Sequence, residues 1–429
     1  MRTYEKYKDS GISWIGKVPE GWNKCRFKNF MTLITDASTS DNKIGLENIE
    51  SGTGKYVQTD SEFEGNGVAF MPHDIVYGKL RPYLQKVWCA DFEGNAVGDF
   101  FVFRNKCNSV SSFLKYVLLS NNFTQFANGT TYGAKMPRVS SNAILDQEYY
   151  IPTLSEQEAI ANYLDKKTAE IDKIIAEREK KIELLNELKS SIISRAVTKG
   201  INPHAKMKDS GIDWIGEIPE EWDMKKMNLV CKVITDFVAS GSFADLRDNV
   251  TYMDHEDYAM LIRTADLSKK SNTMSHVYVN RESYEFLSNS NLFGNEIILP
   301  NIGASIGDVY MVPKTMYEHM TLGPNSIMVK TRYNDFYYYN YFKSRSGRES
   351  LLIIGQAAAQ GKFNKTQLRQ MRVPVPPLVE QEAIVSFINT RVSKIDALAK
   401  VEFSEIKFLR EYRQSLISEV VTGKRKVTD

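Results

Sequence analysis

Basic and amide side chains gather in two separate stretches of this sequence, and together they offer the chemistry needed to bind a nucleic acid. Five basic and no acidic residues lie between 100 and 145, and seven basic residues lie between 341 and 372 beside one acid, Glu349. Amides and hydroxyls are interleaved with them at 128–142 and 355–367. Cationic groups neutralise phosphates, and amides exchange hydrogen bonds with base edges in a groove. We predict two DNA-contacting loops; solvated loops with a positive bias are the alternative.

A turn with the sequence GKLRPY at 78–83 adds three side chains that could reach a phosphate or a base, although its glycine could serve backbone geometry alone. A second glycine-containing turn, GASIGD, lies at 303–308. The full set of predicted DNA-binding residues is Lys79, Arg81, Tyr83, Lys135, Arg138, Lys362, Asn364 and Lys365.

Nucleotide-binding and metalloprotease motifs are missing from the sequence. It contains no GxxxxGK[ST] loop, no GxGxxG and no HExxH, and we predict no nucleophile elbow of the GxSxG type. Asp254, Glu256 and Asp257 crowd around His255, but a solvated acidic loop explains them better than a metal site, and the four cysteines include no CxxC pair. We expect a chain that is not an enzyme and that has no metal site and no cofactor of its own.

The composition is typical of a folded, soluble protein of two or three domains. The chain has 429 residues, of which 42% are hydrophobic and 25% charged, and its formal net charge is +2. Such a balance argues against a protein that simply coats nucleic acid, because neutralising the backbone needs an excess of lysine and arginine. Since no apolar run is long enough to cross a bilayer, we expect a cytoplasmic location and no membrane partner.

Both basic stretches lie within a tandem duplication. KDSGISWIGKVPEGW at 8–22 returns as KDSGIDWIGEIPEEW at 208–222, and the segment that begins at Pro152 returns at Pro376. The second offset is larger than the first, so the intervening stretches differ in length. We call residues 23–151 the first divergent segment and residues 223–375 the second divergent segment.

Both divergent segments have the patterning of a mixed α/β fold. We predict a strand at 100–103 and a helix at 113–126 in the first, and a strand at 326–329 and a helix at 336–346 in the second.

The segments that follow predict two long helices. Ser155 and Glu158 form a capping pattern, apolar residues recur at helical spacing, and no glycine interrupts the first helix before Gly200. About 42 residues make a rod of roughly 60 Å, which needs a partner helix to bury its apolar stripe. We predict that the two helices form an antiparallel coiled coil within the chain, where Arg178 would meet Glu402 in a polar layer. The predicted fold class is α+β, a pseudo-twofold tandem repeat of two mixed α/β domains separated by two long helices.

The repeated frame resembles the specificity subunit of type I restriction-modification systems over essentially the whole chain. GKLRPY at 78–83 and the EQEAI sequences at the starts of the long helices also look like features of this family. The frame residues that carry the resemblance are Trp14, Ile15, Gly16, Pro19 and Trp22, with Trp214, Ile215, Gly216, Pro219 and Trp222 in the second copy.

The resemblance implies that each divergent segment is a target recognition domain that reads one half of a bipartite, asymmetric DNA site, with the paired helices setting the gap. The implied boundaries are 1–151 and 201–375 for the recognition domains, and 152–200 and 376–429 for the spacer helices. Half-sites one turn of DNA apart lie roughly 34 Å from each other, which a rod of roughly 60 Å can span.

The resemblance also implies partner proteins. Methyltransferase subunits, two per chain, would modify adenine, and nuclease-translocase (restriction) subunits would join them, so that S-adenosylmethionine, ATP and Mg²⁺ belong to the partners. Glu156, Gln157, Glu380 and Gln381 are candidates for partner contacts, or they simply begin the helices.

Three other interpretations remain open at this point. The chain could be an enzyme fused to a reader, which a methyl-transfer assay on the isolated chain would reveal. It could be a coiled-coil scaffold for proteins alone, which predicts no salt-dependent DNA affinity. It could also serve a related system with a different cutting geometry, which the sequence cannot separate.

Overall fold

A computed structural model describes residues 3–38, 40–268, 275–314, 316–356 and 361–427. The chain divides into two compact units: unit 1 is Met1–Lys180 with Glu402–Asp429, and unit 2 is Lys181–Val401. Each unit takes part of both long helices. This division does not test the four segments implied by the resemblance, which stay a prediction. No helix in the described ranges is both long and apolar enough to cross a membrane.

Unit 1 contains a divergent segment built from short strands and three helices. Its strands are β1 Tyr7–Asp9, β2 Lys17–Pro19, β3 Asn23–Arg26, β4 Met31–Ile34, β5 Ala37–Ser38, β6 Lys43–Ile44, β7 Gly67–Phe70, β8 Ile75–Gly78, β9 Val87–Cys89, β10 Gly94–Ala96, β11 Phe100–Asn105 and β12 Glu148–Ile151. Its helices are α1 Ser111–Leu119, α2 Asn121–Gly129 and α3 Ser141–Asp146, and the long helix α4 Leu154–Lys199 begins in this unit.

Unit 2 repeats this plan with additional elements. Its strands are β13 Met207–Asp209, β14 Glu217–Pro219, β15 Asp223–Lys226, β16 Cys231–Asp236, β17 Tyr252–Met253, β18 Ala259–Ile262, β19 Tyr278–Val279, β20 Asn291–Leu292, β21 Ile297–Pro300, β22 Tyr310–Met311, β23 Met320–Leu322, β24 Ser326–Thr331 and β25 Arg372–Val375. Its helices are α5 Met227–Val230, α6 Phe243–Asn249, α7 Thr264–Leu267, α8 Arg281–Phe286, α9 Asp335–Lys343, α10 Arg345–Gln356 and α11 Lys365–Gln370, and the long helix α12 Leu378–Val421 begins there.

An antiparallel sheet of the same strand order forms the core of both units. The order is β4-β11-β8-β9 in unit 1 and β16-β24-β21-β22 in unit 2, with antiparallel pairing throughout. The β11 strand buries Val102 and Phe103 completely, and β24 buries Ile327 and Val329 completely. The two divergent segments therefore share one architecture although their sequences differ.

The extra length of unit 2 lies before its strand β21. The first core strands of the two units begin at Met31 and Cys231, which keeps the offset of the repeated frame. The next equivalent strands begin at Ile75 and Ile297, which is a larger offset. A second sheet holds the difference, with the order β5-β7-β10-β6 in unit 1 and β17-β19-β18-β23-β20 in unit 2.

The helices predicted at 113–126 and 336–346 are each two helices. Ser120 separates α1 from α2, and its hydroxyl accepts a hydrogen bond from the Phe123 amide, 3.3 Å away, as the N-cap of the second helix. Ser344, the equivalent residue of the second copy, separates α9 from α10 in the same way, with the Gly347 amide 3.2 Å from its hydroxyl. The predictions were wrong in joining these helices because serine is compatible with a helix interior and the break depends on its cap geometry.

The predicted fold class is confirmed, with long helices of 46 and 44 residues that span about 65–70 Å each. In unit 1 they run antiparallel, since Asp172 pairs with Arg413 whereas Arg178, further along α4, pairs with Glu402, nearer the start of α12. In unit 2 the same two helices are joined by Lys189 and Asp396, whose Nζ and Oδ1 atoms lie 2.6 Å apart.

Arg178 and Glu402 form a polar contact within the helix pair of unit 1. Arg178 Nη1 donates to Glu402 Oε2 over 2.7 Å, and its Nη2 lies 3.6 Å from Glu405 Oε2. Glu402 is 4% exposed. A buried carboxylate is stable only with a close cationic partner, so this pair restricts the register of the helices.

Reversing the charges of this pair tests its contribution to stability. We expect Arg178→Glu and Glu402→Arg each to lower the free energy of unfolding by roughly 1–3 kcal/mol, less than for a fully buried pair because the Arg178 side chain is 32% exposed. The double variant should regain most of the loss, although Glu405 would oppose a glutamate at position 178. Chemical denaturation of all four proteins measures the coupling, and a double variant as unstable as the sum of the singles would contradict it.

Candidate nucleic-acid interface

Three segments that the sequence predictions treat separately meet at one end of the core sheet in unit 1. The turn after β8, the residue before β11 and the loop after α2 are joined by backbone hydrogen bonds. Lys79 N donates to Asp99 O over 2.9 Å, Val139 N to Lys79 O over 3.1 Å, and Arg81 N to Pro137 O over 2.8 Å. The structure thus brings the GKLRPY turn and the basic loop together.

The same three hydrogen bonds recur in unit 2. Asn301 N donates to Asn325 O over 3.2 Å, Phe363 N to Asn301 O over 3.1 Å, and Gly303 N to Gly361 O over 2.9 Å. We call each set of three bonds the ladder. Its turn needs a left-handed residue, which is Arg81 (φ 50°) in unit 1 and Gly303 (φ 74°) in unit 2. Of the predicted polar stretch 355–367, residues 357–360 lie outside the described residues.

Four of the predicted DNA-binding residues, in or beside the ladder, are exposed and make no side-chain hydrogen bond among the described residues. Arg81, Tyr83 and Lys135 are exposed in unit 1, where the Tyr83 ring is 54% exposed, and Lys362 is exposed in unit 2. Among the described residues, none of these four forms an ion pair, so their polar groups are available to a ligand.

The other predicted DNA-binding residues are engaged within their own unit. Arg138 donates two hydrogen bonds to the Asp99 carboxylate, from Nε to Oδ1 over 3.0 Å and from Nη2 to Oδ2 over 2.9 Å. Lys79 Nζ lies 3.8 Å from Asp99 Oδ1. Asn364 caps α11 by accepting from Gln367 N, 2.9 Å away. In the same unit, Lys365 Nζ lies 2.7 Å from Asp236 Oδ1. These side chains support the ladder, and DNA contact by any of them stays a prediction.

An apolar cleft beside the ladder of unit 2 was missed by the sequence predictions. Its volume is about 640 Å³, and Phe243, Tyr252 and Ile302 line it together with Lys362 and Asn364. Phe243 is 83% exposed and Tyr252 is 52% exposed. Phe243 lies on α6, among the extra residues of the second divergent segment. An isolated phenylalanine in a sequence predicts a buried side chain, so the sequence did not indicate an exposed cleft.

The turn at 303–307 fits the GxSxG pattern of a nucleophile elbow, so the prediction that this motif is absent was wrong. Ser305 lies in an exposed 3₁₀ turn after β21 rather than between a strand and an α-helix. Across the described ranges, no hydrogen bond joins Ser305 to a histidine. Gly303 of this turn belongs to the ladder.

Glu156 and Glu380, both predicted to contact partners, anchor the repeated frame to the start of each long helix. Trp22 Nε1 donates to Glu156 Oε1 over 3.3 Å, and Trp222 Nε1 donates to Glu380 Oε2 over 2.8 Å. Tyr4 also donates to Glu156 Oε1, at 2.5 Å. Both tryptophans are almost completely buried, so the glutamates hold the frame in place.

Gln157 and Gln381 are buried and join each long helix to its own divergent segment. Gln157 Oε1 accepts from Val110 N over 2.9 Å, and Gln381 Oε1 accepts from Asn334 N over 3.2 Å. Their exposures are 1% and 0%. A partner protein cannot reach these amides in this structure, so the alternative interpretation as helix starts accounts for them. Partner contact through Glu156 or Glu380 stays a prediction.

Comparison with known proteins identifies relatives of one kind. Residues 219–406 match the family described as the type I restriction modification DNA specificity domain. The putative type I restriction enzyme MjaX specificity subunit of Methanocaldococcus jannaschii is 24% identical, with 96% of each chain covered. The EcoDI specificity subunit of Escherichia coli is 28% identical over 42% of this chain and 43% of its own length.

Solved structures show the same fold. A chain from a study of complex assembly and conformational transition of the type I R-M system has a TM-score of 0.69 at 15% identity, covering 94% of this chain and 98% of that one. The HsdS subunit from Thermoanaerobacter tengcongensis has a TM-score of 0.53 at 16% identity, covering 97% and 100%. At these identities the likeness concerns the fold alone.

The Arg138–Asp99 pair should make the stability of unit 1 depend on pH. The hydrogen bond from Arg138 holds the pKa of Asp99 below its ordinary value of 3.8. The pair therefore stabilises the fold above that pH, and its contribution disappears as the pH falls through the lowered pKa. We expect the stability difference between wild type and Asp99→Asn to narrow as the pH falls from about 5 to about 3. Thermal melts at each pH measure this difference, and a constant difference would contradict the assignment.

Proposed function

We propose that this chain, a homologue of the specificity subunits of type I restriction-modification systems, reads the two halves of a bipartite DNA site with its two divergent segments. The matched relatives are named as specificity subunits, which are the recognition components and not the catalysts of these systems. Recognition of DNA is therefore the activity assigned to this chain. The names of the relatives do not say that the DNA site is bipartite, so this part of the proposal rests on features of the structure.

The recurrence of the ladder in both units carries this proposal. The same backbone platform presents Arg81 in one unit and Gly303 in the other, and it presents Arg138 where unit 2 has Lys362. Side chains select bases, whereas the backbone only places them. Two platforms with the same backbone and different side chains are therefore suited to two half-sites of different sequence. A DNA site composed of two different half-sites is asymmetric.

The chemistry of the exposed groups fits duplex DNA. Arg81, Lys135 and Lys362 supply cationic groups for phosphates or guanine edges. In unit 2 the cleft lined by Phe243 and Ile302 adds an apolar surface beside Lys362, and the thymine methyl is the apolar group that a base pair presents in the major groove. We assign this cleft to base contact in the second half-site.

The duplicated frame supports the assignment of two methyltransferase subunits to each chain. The Trp22–Glu156 and Trp222–Glu380 anchors give both copies the same local surface, so one type of partner could dock twice. Restriction subunits would join the assembly. S-adenosylmethionine, ATP and Mg²⁺ would be held by the partner subunits, and the cell compartment would be the cytoplasm, where the DNA is.

Mapping of methylated adenine tests the proposal directly. We expect co-expression of this chain with its cognate methyltransferase subunit, in a host free of adenine methylation, to produce one bipartite methylated motif. Exchange of the second divergent segment for that of another specificity subunit should change one half of the motif only. Sequencing of modified bases gives the result, and a host that expresses the methyltransferase subunit alone is the control. A motif that survives omission of this chain would refute the proposal.

Single lysines test the exposed positions. Lys135→Ala and Lys362→Ala should each weaken DNA binding by the assembled complex several-fold and lower the salt slope by about one, because each removes a phosphate contact. Lys407→Ala, on an exposed face of α12, should leave both quantities unchanged. Fluorescence anisotropy at several salt concentrations measures them. Unchanged affinity and slope in both loop variants would remove these loops from the interface.

A further inference from the structure

Both divergent segments are tied to the long helices at equivalent points. In unit 1, Asn121 N at the start of α2 donates to Ser418 Oγ of α12 over 3.2 Å. In unit 2, Arg345 N at the start of α10 donates to Ser194 Oγ of α4 over 3.2 Å. The offset that relates Pro152 to Pro376 also relates these two pairs. Together with the buried glutamines at the helix starts, these contacts form a set of anchors common to both copies.

Unit 1 has a further anchor at the loop 50–55, far along the helices from the helix starts. Arg413 of α12 donates from Nη1 to Gly52 O over 2.7 Å and from Nη2 to Thr53 O over 2.9 Å. Its Nε donates to Asp172 Oδ1 of α4 over 2.9 Å. The Arg413 side chain is 5% exposed. The guanidinium of this one residue thus joins α12 to both α4 and the divergent segment.

Neighbouring groups reinforce this anchor. Gln414 Nε2 donates to Gly52 O over 3.0 Å, and Lys55 Nζ lies 2.7 Å from Asp172 Oδ2. The loop reaches the helices through glycines with positive φ, Gly52 at 74° and Gly54 at 77°. Since Arg413 is desolvated and its donors reach charged and carbonyl oxygens, these are hydrogen bonds of the stronger kind.

Among the described residues, the second copy has the ion pair without a matching anchor to its divergent segment. The duplication places Lys189 and Asp396 at the positions equivalent to Arg413 and Asp172. Their atoms lie 2.6 Å apart, but the side chains are 28% and 54% exposed. An ammonium group lacks the planar fork that binds two successive carbonyls. Over the described residues of unit 2, the hydrogen bonds of Lys189 go to Asp396 alone.

We infer that Arg413 is a positioning residue that locks the first divergent segment against rotation on the helix pair and so sets the gap length that the protein accepts. The inference rests on the proposed function. Adding one base pair to a gap moves a half-site by about 3.4 Å and turns it by roughly one tenth of a helical turn. The anchors common to both copies lie near the start of one long helix and the end of the other, so a segment held by them alone has more freedom to pivot and follow that change than one that Arg413 also holds.

The test compares gap lengths in the assembled complex with its methyltransferase subunit. Duplexes carry both half-sites with the natural gap or with one or two base pairs added or removed, and kcat/KM for adenine methylation is measured on each. The key variant is Arg413→Lys, which keeps the charge and the pairing with Asp172 that the second copy shows. We expect near-wild-type methylation at the natural gap and a loss of roughly tenfold in discrimination against other gaps, the factor supplied by a charge-assisted hydrogen bond.

Lys189→Arg is the matched control, because Lys189 donates only to Asp396 among the described residues of unit 2, and it should keep the wild-type gap profile. A wild-type profile for Arg413→Lys would overturn the inference, and so would an equal loss of methylation at every gap, which indicates a purely structural role. Failure of the proposed function has a different signature, since wild type would then methylate no bipartite site at any gap.

Discussion

A long helix with one apolar stripe cannot remain folded in water unless something covers that stripe, and this constraint organises the protein. The duplicated sequence supplies two such helices, and in each compact unit a part of one packs against a part of the other. The polar contact between Arg178 and Glu402 lies within this pairing, where a buried carboxylate penalises any register that separates it from its cation. Within each unit the divergent segment is hydrogen-bonded to these helices, so their register affects where that segment lies.

The two divergent segments show how one architecture accommodates unlike sequences. Their core sheets have the same strand order, and the same ladder joins the turn at Arg81 or Gly303 to a distal loop. Backbone hydrogen bonds place few demands on side chains, so the platform is compatible with many sequences. The demands that remain are local, such as a residue that tolerates positive φ in the turn and a serine between two short helices.

Several basic side chains in the divergent segments are paired with acidic side chains, and the protein carries little net positive charge. The predicted DNA contacts Arg138 and Lys365 form ion pairs with Asp99 and Asp236, and contact of these two side chains with DNA stays a prediction. The cations left exposed on the ladders are few, which agrees with a net charge of +2 and with a protein that selects a site instead of coating DNA. Arg413 follows the same pattern, because its cation is buried and paired between the two long helices and a loop.

The sequence by itself determined the duplication, the long helices with their antiparallel pairing, the α+β class and the two basic stretches, because repeats, periodicity and composition can be read from the order of residues along the chain. Only the tertiary structure decided which basic residues are free, that two glutamines are buried, and that a cleft adjoins one ladder. Those outcomes depend on partners remote in the chain: Lys365 meets Asp236, and Arg413 meets Gly52 from the opposite end of the sequence. Hydrogen bonding and desolvation act between atoms that folding brings together, and local patterns carry no record of that geometry.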